Sequence, residues 1–176
     1  VLDALDRTGG WTNTTLMLWS DHGHHLGDRD KWGKFTLFEA ANSIPFIIVD
    51  PDHGTAGSVV GTPVSLIDLF PTLTGLAGLP PRPGMRGIDL TALMDDPAAD
   101  IGRAAVISHA YGSISARTAT HRITMYNDGV FEVFDSIADP FNLVDLSDDP
   151  ANAPLVAQMI AVMRAEAAAI GITIVF

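Results

Sequence analysis

An acid and an imidazole stand side by side at Asp21 and His22, Gly23 follows them, and Lys34 comes a short stretch later. Aspartate offers a hard anionic oxygen and neutral imidazole a nitrogen, so the pair is a candidate holder of a divalent cation. Gly23 lets the backbone turn sharply beside whatever they hold. Lys34 supplies a mobile positive charge suited to an anionic substrate. His24 and His25 follow directly, and His25 is a candidate substrate contact, with an ordinary loop residue as the alternative reading. Asp and Gly are also common turn formers, so Asp-His-Gly gains meaning only from the elements that position it.

Those elements are legible as runs of apolar residues. Leu16-Met17-Leu18-Trp19 stops abruptly at Ser20, which predicts a strand over Thr15–Trp19 that delivers Asp21 and His22 to its carboxyl end. A run without alternation suits a strand covered on both faces, as in a parallel sheet, and ligands of such sheets bind just beyond the strands' carboxyl ends. Pro45–Val49 is a second run of this kind, and Thr36–Asn42 between them fits a short helix. Val1, Leu2 and Leu5 lie on one helical face ended by Gly9-Gly10, and the helix starts without a cap, as the tail of a longer one would. Leu66, Leu69, Phe70, Leu73 and Leu76 recur at helical spacing, with Pro71 near the start and Gly78 past the end. A brief helix is predicted over Leu90–Met94.

The last third changes character. Short β-prone runs at Ala105–His109, Ser115–Thr120, Arg122–Tyr126 and Phe131–Phe134, the last two joined through Asn127-Asp128-Gly129, predict a small antiparallel sheet. Leu155, Met159, Ile160, Val162 and Met163 mark an amphipathic helix over 155–169 that packs on it. The expected class is therefore α/β. Residues 1–100 form part of a mostly parallel sheet with flanking helices, and residues 101–176 form a small α+β subdomain.

Composition narrows the partners. The 176 residues carry a net charge of -11 with only 10 Lys and Arg, which argues against a nucleic-acid surface. No apolar run approaches the roughly 20 residues needed to span a bilayer. The chain has no Cys, hence no disulfide, no thiolate metal ligand and no cysteine nucleophile.

Taken in order, Ser20-Asp21-His22-Gly23, Leu26-Gly27-Asp28, Trp32-Gly33-Lys34, Phe38-Glu39 and Ile44-Pro45-Phe46-Ile47-Ile48 resemble the second half of the catalytic domain of type I sulfatases, in the alkaline phosphatase superfamily. Ser65–Leu73 and Leu76–Pro80 resemble that family's next helix, and Phe131–Asp135 with Asp139–Leu143 its closing subdomain. The resemblance covers nearly the whole chain. It implies that Asp21 and His22 ligate a metal, calcium first, and that Lys34 contacts the sulfate as a catalytic charge stabiliser. Nitrogen from His22 would also suit Mn²⁺ or Zn²⁺. The substrate implied is a small anionic sulfate ester, or a phosphate or phosphonate ester as in related hydrolases.

The chain also departs from the family. Sulfatases make their nucleophile from Cys or Ser in a Cys/Ser-x-Pro-x-Arg motif upstream, and no such pattern occurs here. Asp28-Arg29-Asp30-Lys31 replaces the family's frequent Glu-His-Gly. The chain is thus expected to be the C-terminal portion of a sulfatase, holding part of an active site and inactive by itself. The alternatives are a phosphonate or phosphate monoester hydrolase, and a non-catalytic module that associates with itself through an exposed sheet edge.

Overall fold

The computed structural model describes residues 1–174. In chain order the helices are α1 (Leu2–Thr8), α2 (Glu39–Asn42), α3 (Leu69–Leu76), α4 (Thr91–Asp95) and α5 (Ala153–Ala169). The strands are β1 (Leu16–Trp19), β2 (His25–Leu26), β3 (Trp32–Gly33), β4 (Phe46–Val49), β5 (Val106–Ala110), β6 (Ser113–Arg117), β7 (His121–Met125) and β8 (Phe131–Asp135). The residues group into two compact units. One comprises Val1–Asp21 with Pro45–Ile101, the other His22–Ile44 with the chain from Gly102 onward.

In the first unit β1 and β4 are strands as expected, and they pair antiparallel, with Leu16 opposite Val49 and Trp19 opposite Phe46. An unbroken apolar run reports the environment of a strand, not the direction of its neighbour. Nor are these side chains all enclosed within the chain. Leu18, Ile47 and Val49, which share one face with Leu16, are exposed. The rest of the unit is held by buried polar anchors. Asp68 accepts hydrogen bonds from the Ser65 and Ile88 backbone N–H groups, both at 2.8 Å. Thr72 donates its hydroxyl to the Asp68 carbonyl at 2.7 Å and accepts the Leu90 N–H at 3.0 Å. Pro71 sits early in α3, where its missing N–H removes little. At Gly87 a side chain could not fit, because a Cβ would lie 2.0 Å from the Ile67 carbonyl oxygen.

The second unit is a four-stranded antiparallel meander in the order β5-β6-β7-β8, with α5 against it. This is the expected small sheet and helix. Alternation along the strands gives each face its own task. Ile114, Ala116, Ile123, Met125 and Val133 pack with Val156, Met159, Met163 and Ala167 of α5 into one core. Ser115, Arg122, Thr124 and Phe134 are buried on the opposite face. There they meet the segment of residues 34–42: Phe38 and Phe134 lie edge to face at 6.1 Å, and Arg122 donates to the Leu37 carbonyl at 3.1 Å.

Candidate functional site

β1 delivers the chain to Ser20, whose N–H donates to the Pro45 carbonyl at 3.3 Å, and then to Asp21, an exposed residue that ends the first unit. His22 opens the second unit. Gly23 shows why glycine must follow. Its N–H donates to the Ala41 carbonyl at 2.8 Å, and a Cβ there would stand 2.1 Å from the Ala40 carbonyl oxygen. The turn is therefore pressed against the end of α2, and any side chain would push it away.

From Gly23 the chain runs through a small hairpin, β2 against β3, with His25 opposite Gly33 and Leu26 opposite Trp32. The hairpin returns the chain so that Lys34 Nζ reaches His22 Nε2 at 2.6 Å. The imidazole's other nitrogen, Nδ1, lies 2.7 Å from the Gly23 carbonyl oxygen. A carbonyl can only accept, so Nδ1 carries the proton and Nε2 presents its lone pair. The ammonium donates into that lone pair. Lys34 Nζ also lies 5.7 Å from the centre of the Phe35 ring.

His22 and Lys34, two of the residues singled out by type, are thus brought together. With Nδ1 protonated on a backbone carbonyl, Nε2 is the nitrogen with which His22 could bind a cation, and a metal there would take the lone pair that Lys34 now uses. Among the described residues, however, no group of three His, Asp or Glu side chains gathers closely enough to hold an ion. The donor set of this chain suits part of a metal site.

His25 stands in a different environment from the one a substrate contact needs. It is 1% exposed, its Nε2 is 2.7 Å from the Thr36 hydroxyl, and its ring meets Phe38 edge to face at 6.2 Å. Its Nδ1 has no hydrogen-bond partner among the described residues. The side chain faces the inside of the loop because the hairpin alternates, which turns Leu26 and Trp32 outward.

Two further groups set the geometry and carry no catalytic signature in the sequence. Glu39 Oε1 accepts from Arg117 Nε at 2.6 Å and from Arg122 Nε and Nη2 at 3.1 and 3.0 Å. Burial lowers the Arg122 pKa, and the Glu39 carboxylate opposes that shift. Arg29 adopts a left-handed backbone (φ 55) and turns inward. Its guanidinium lies 4.2 Å above the Phe38 ring, donates to the Asn142 carbonyl, and pairs with Glu132 at 3.4 Å. Tyr126 donates to the same carboxylate, and burial together with that carboxylate pushes its phenol pKa up. Arg29 could have been found from the sequence only by noting a long cationic side chain near aromatic partners, and their spacing gives no such signal.

Residues 1–79 match the family model named Sulfatase. A curated protein named Sulfatase from Formosa agariphila is 29% identical over 140 residues, which cover 80% of this chain and 27% of that protein. The chain therefore spans about a quarter of the length of that relative. The solved structure of BT4656 with its substrate D-glucosamine-2-N,6-O-disulfate superposes with a TM-score of 0.82 at 24% identity, over 96% of this chain and 37% of that one. A phosphonate monoester hydrolase from Silicibacter pomeroyi gives 0.80 at 25% identity, over 95% of this chain and 37% of that one.

Proposed function

The chain belongs to the sulfatase family, and on that premise we propose that it supplies the anion-binding lysine and part of the metal shell of a site that hydrolyses sulfuric esters, R–O–SO₃⁻, to R–OH and sulfate. Lys34 is the contact to the ester's nonbridging oxygens. A metal bound at His22 Nε2 would displace the Lys34 proton now held there, which would leave all three ammonium protons for an anion. Asp21 and His22, adjacent in the chain, are the proposed ligands of a divalent ion, calcium first, with Mn²⁺ or Zn²⁺ as the alternatives. When bound, such an ion acts as a Lewis acid on the ester oxygens. Lys34 adds charge stabilisation and transfers no proton. His25 acts through the loop, holding Thr36, and does not touch substrate. The attacking group lies outside the residues named, since the chain has neither Cys nor a Ser-x-Pro-x-Arg pattern.

The observation that carries this reading is the 2.6 Å approach of Lys34 to His22. It is tested in a form of the protein that turns over an aryl sulfate. Asp21→Ala should lower metal content and activity together. Lys34→Ala should keep the metal and reduce kcat/KM by about 10²-fold, the order found when one preorganised charge-stabilising group is lost. Lys34→Arg should restore little, because a planar fork does not replace a compact ammonium. Normal turnover by Lys34→Ala ends the assignment.

A second reading keeps the residues and changes the ester to a phosphonate or phosphate. It is favoured by the nitrogen donor of His22 and by the likeness to a phosphonate monoester hydrolase. Parallel turnover of an aryl sulfate and an aryl phosphonate separates the two. A third reading, a non-catalytic module that pairs with a second copy, is favoured by the exposed apolar face of Leu18, Ile47 and Val49 on a sheet that has two strands among the described residues. Sedimentation showing a monomer at all concentrations removes it.

A further inference from the structure

Phe35 and Tyr111 are each 71% exposed, yet both are held in place. Their rings meet edge to face at 6.1 Å with an interplanar angle of 75°, so each leaves a π-face open to water. Phe35 follows Lys34 on a strap fixed from beneath. The Thr36 hydroxyl is held by buried His25, and the Leu37 carbonyl by buried Arg122. Tyr111 sits in the two-residue turn between β5 and β6, where Ala110 pairs with Ser113. Both turn residues have positive φ, 51 for Tyr111 and 79 for Gly112. A turn of this shape favours Asn, Asp or Gly at the first position, and a bulky aromatic there is held against its backbone preference. Two large apolar rings are thus presented to solvent on rigid supports, with a lysine ammonium 5.7 Å from one of them.

We propose that Phe35 and Tyr111 form a stacking platform for the organic part of the anionic ester whose charged group lies on Lys34. The chemistry recognised is a flat face, either an aryl ring or the C–H face of a pyranose, tethered to a sulfate or phosphonate. The platform determines specificity and performs no step of the reaction. This inference rests on the assignment of Lys34 as the anion contact.

Lys31 and Lys34 are the only lysines in the sequence, so the chain labelled at lysine Cε and Nζ gives one reporting signal and one internal control. The labelled chain is titrated with methyl sulfate, 4-nitrophenyl sulfate and glucose 6-sulfate. All three should move the Lys34 signal, and at least one ring-bearing ester should bind about tenfold more tightly than methyl sulfate, as one aromatic stacking contact allows. A gain for the nitrophenyl ester alone identifies an aryl group as the occupant, and a gain for the sugar ester identifies a pyranose face. Phe35→Leu, which keeps bulk without a ring, and Tyr111→Asn, which suits the turn, should each draw the ring-ester affinity down toward that of methyl sulfate. Ring esters binding no more tightly than methyl sulfate, an advantage that survives both substitutions, or equal losses for every ester would overturn the platform and leave the role of Lys34 standing. A Lys34 signal unmoved by methyl sulfate and by both ring esters would overturn the Lys34 assignment, and the platform with it.

Discussion

Replacing Glu39 with Ala removes the acceptor on which two arginines converge. The Glu39 side chain is 13% exposed and that of Arg122 only 3%, so the Arg122 guanidinium would be left charged and enclosed. Losing one partner of a buried pair costs about 3–5 kcal/mol, against about 0–1 kcal/mol for an exposed one. Arg122 keeps its bonds to the Leu37 carbonyl and the Ser115 hydroxyl, which places the expected loss at the lower end, about 3 kcal/mol. That is a large share of the 5–15 kcal/mol typical of a folded domain, at about 0.1 kcal/mol per residue. Urea unfolding followed by circular dichroism measures the loss, and amide exchange on β7 reports whether it falls on this sheet. The double variant Glu39→Ala/Arg122→Met should recover about half of it, because the enclosed guanidinium is removed with the carboxylate, while Arg117, 21% exposed, can turn to water. A loss below about 1 kcal/mol for Glu39→Ala would mean that the pair behaves as a surface bridge and that the strap beneath Lys34 is held by something else.

Two further outcomes follow from local geometry. Gly23→Ala should destabilise by about 1–3 kcal/mol, since its Cβ would collide with the Ala40 carbonyl oxygen, and should shift the Lys34 side-chain signal as the turn moves; an unchanged melting temperature would contradict the close approach. Asp50 has its pKa held below 3.8: partial burial raises it, but the Thr15 hydroxyl at 2.5 Å, the Asp52 and His53 N–H groups and the His53 charge outweigh that. A carboxyl with a depressed folded pKa contributes stability that is present above its ordinary value and lost as pH falls through the folded one. Thr15→Val should therefore raise the Asp50 pKa in a carboxyl titration and bring acid loosening of the β4 end to higher pH; an unmoved titration would remove Thr15 as the cause.

The sequence by itself determined the elements and the family. Apolar runs fixed β1 and β4 to within a residue, glycine ended α1 at Gly9, and the turn signal at Asn127-Asp128-Gly129 joined β7 to β8, because these features depend on neighbours in the chain. Asp21, His22 and Lys34 stood out for the same reason, through residue type beside a strand end. Tertiary structure alone decided what surrounds them. That His22 offers a lone pair to Lys34 depends on a hairpin closing, and that His25 is sealed inward depends on which way that hairpin alternates. Residues 22–44 group with the C-terminal sheet because buried Arg122 and Glu39, far apart in sequence, need each other's charge. Local propensity cannot report a long-range pairing of this kind, whose energy exists only once the chain has folded and water has left.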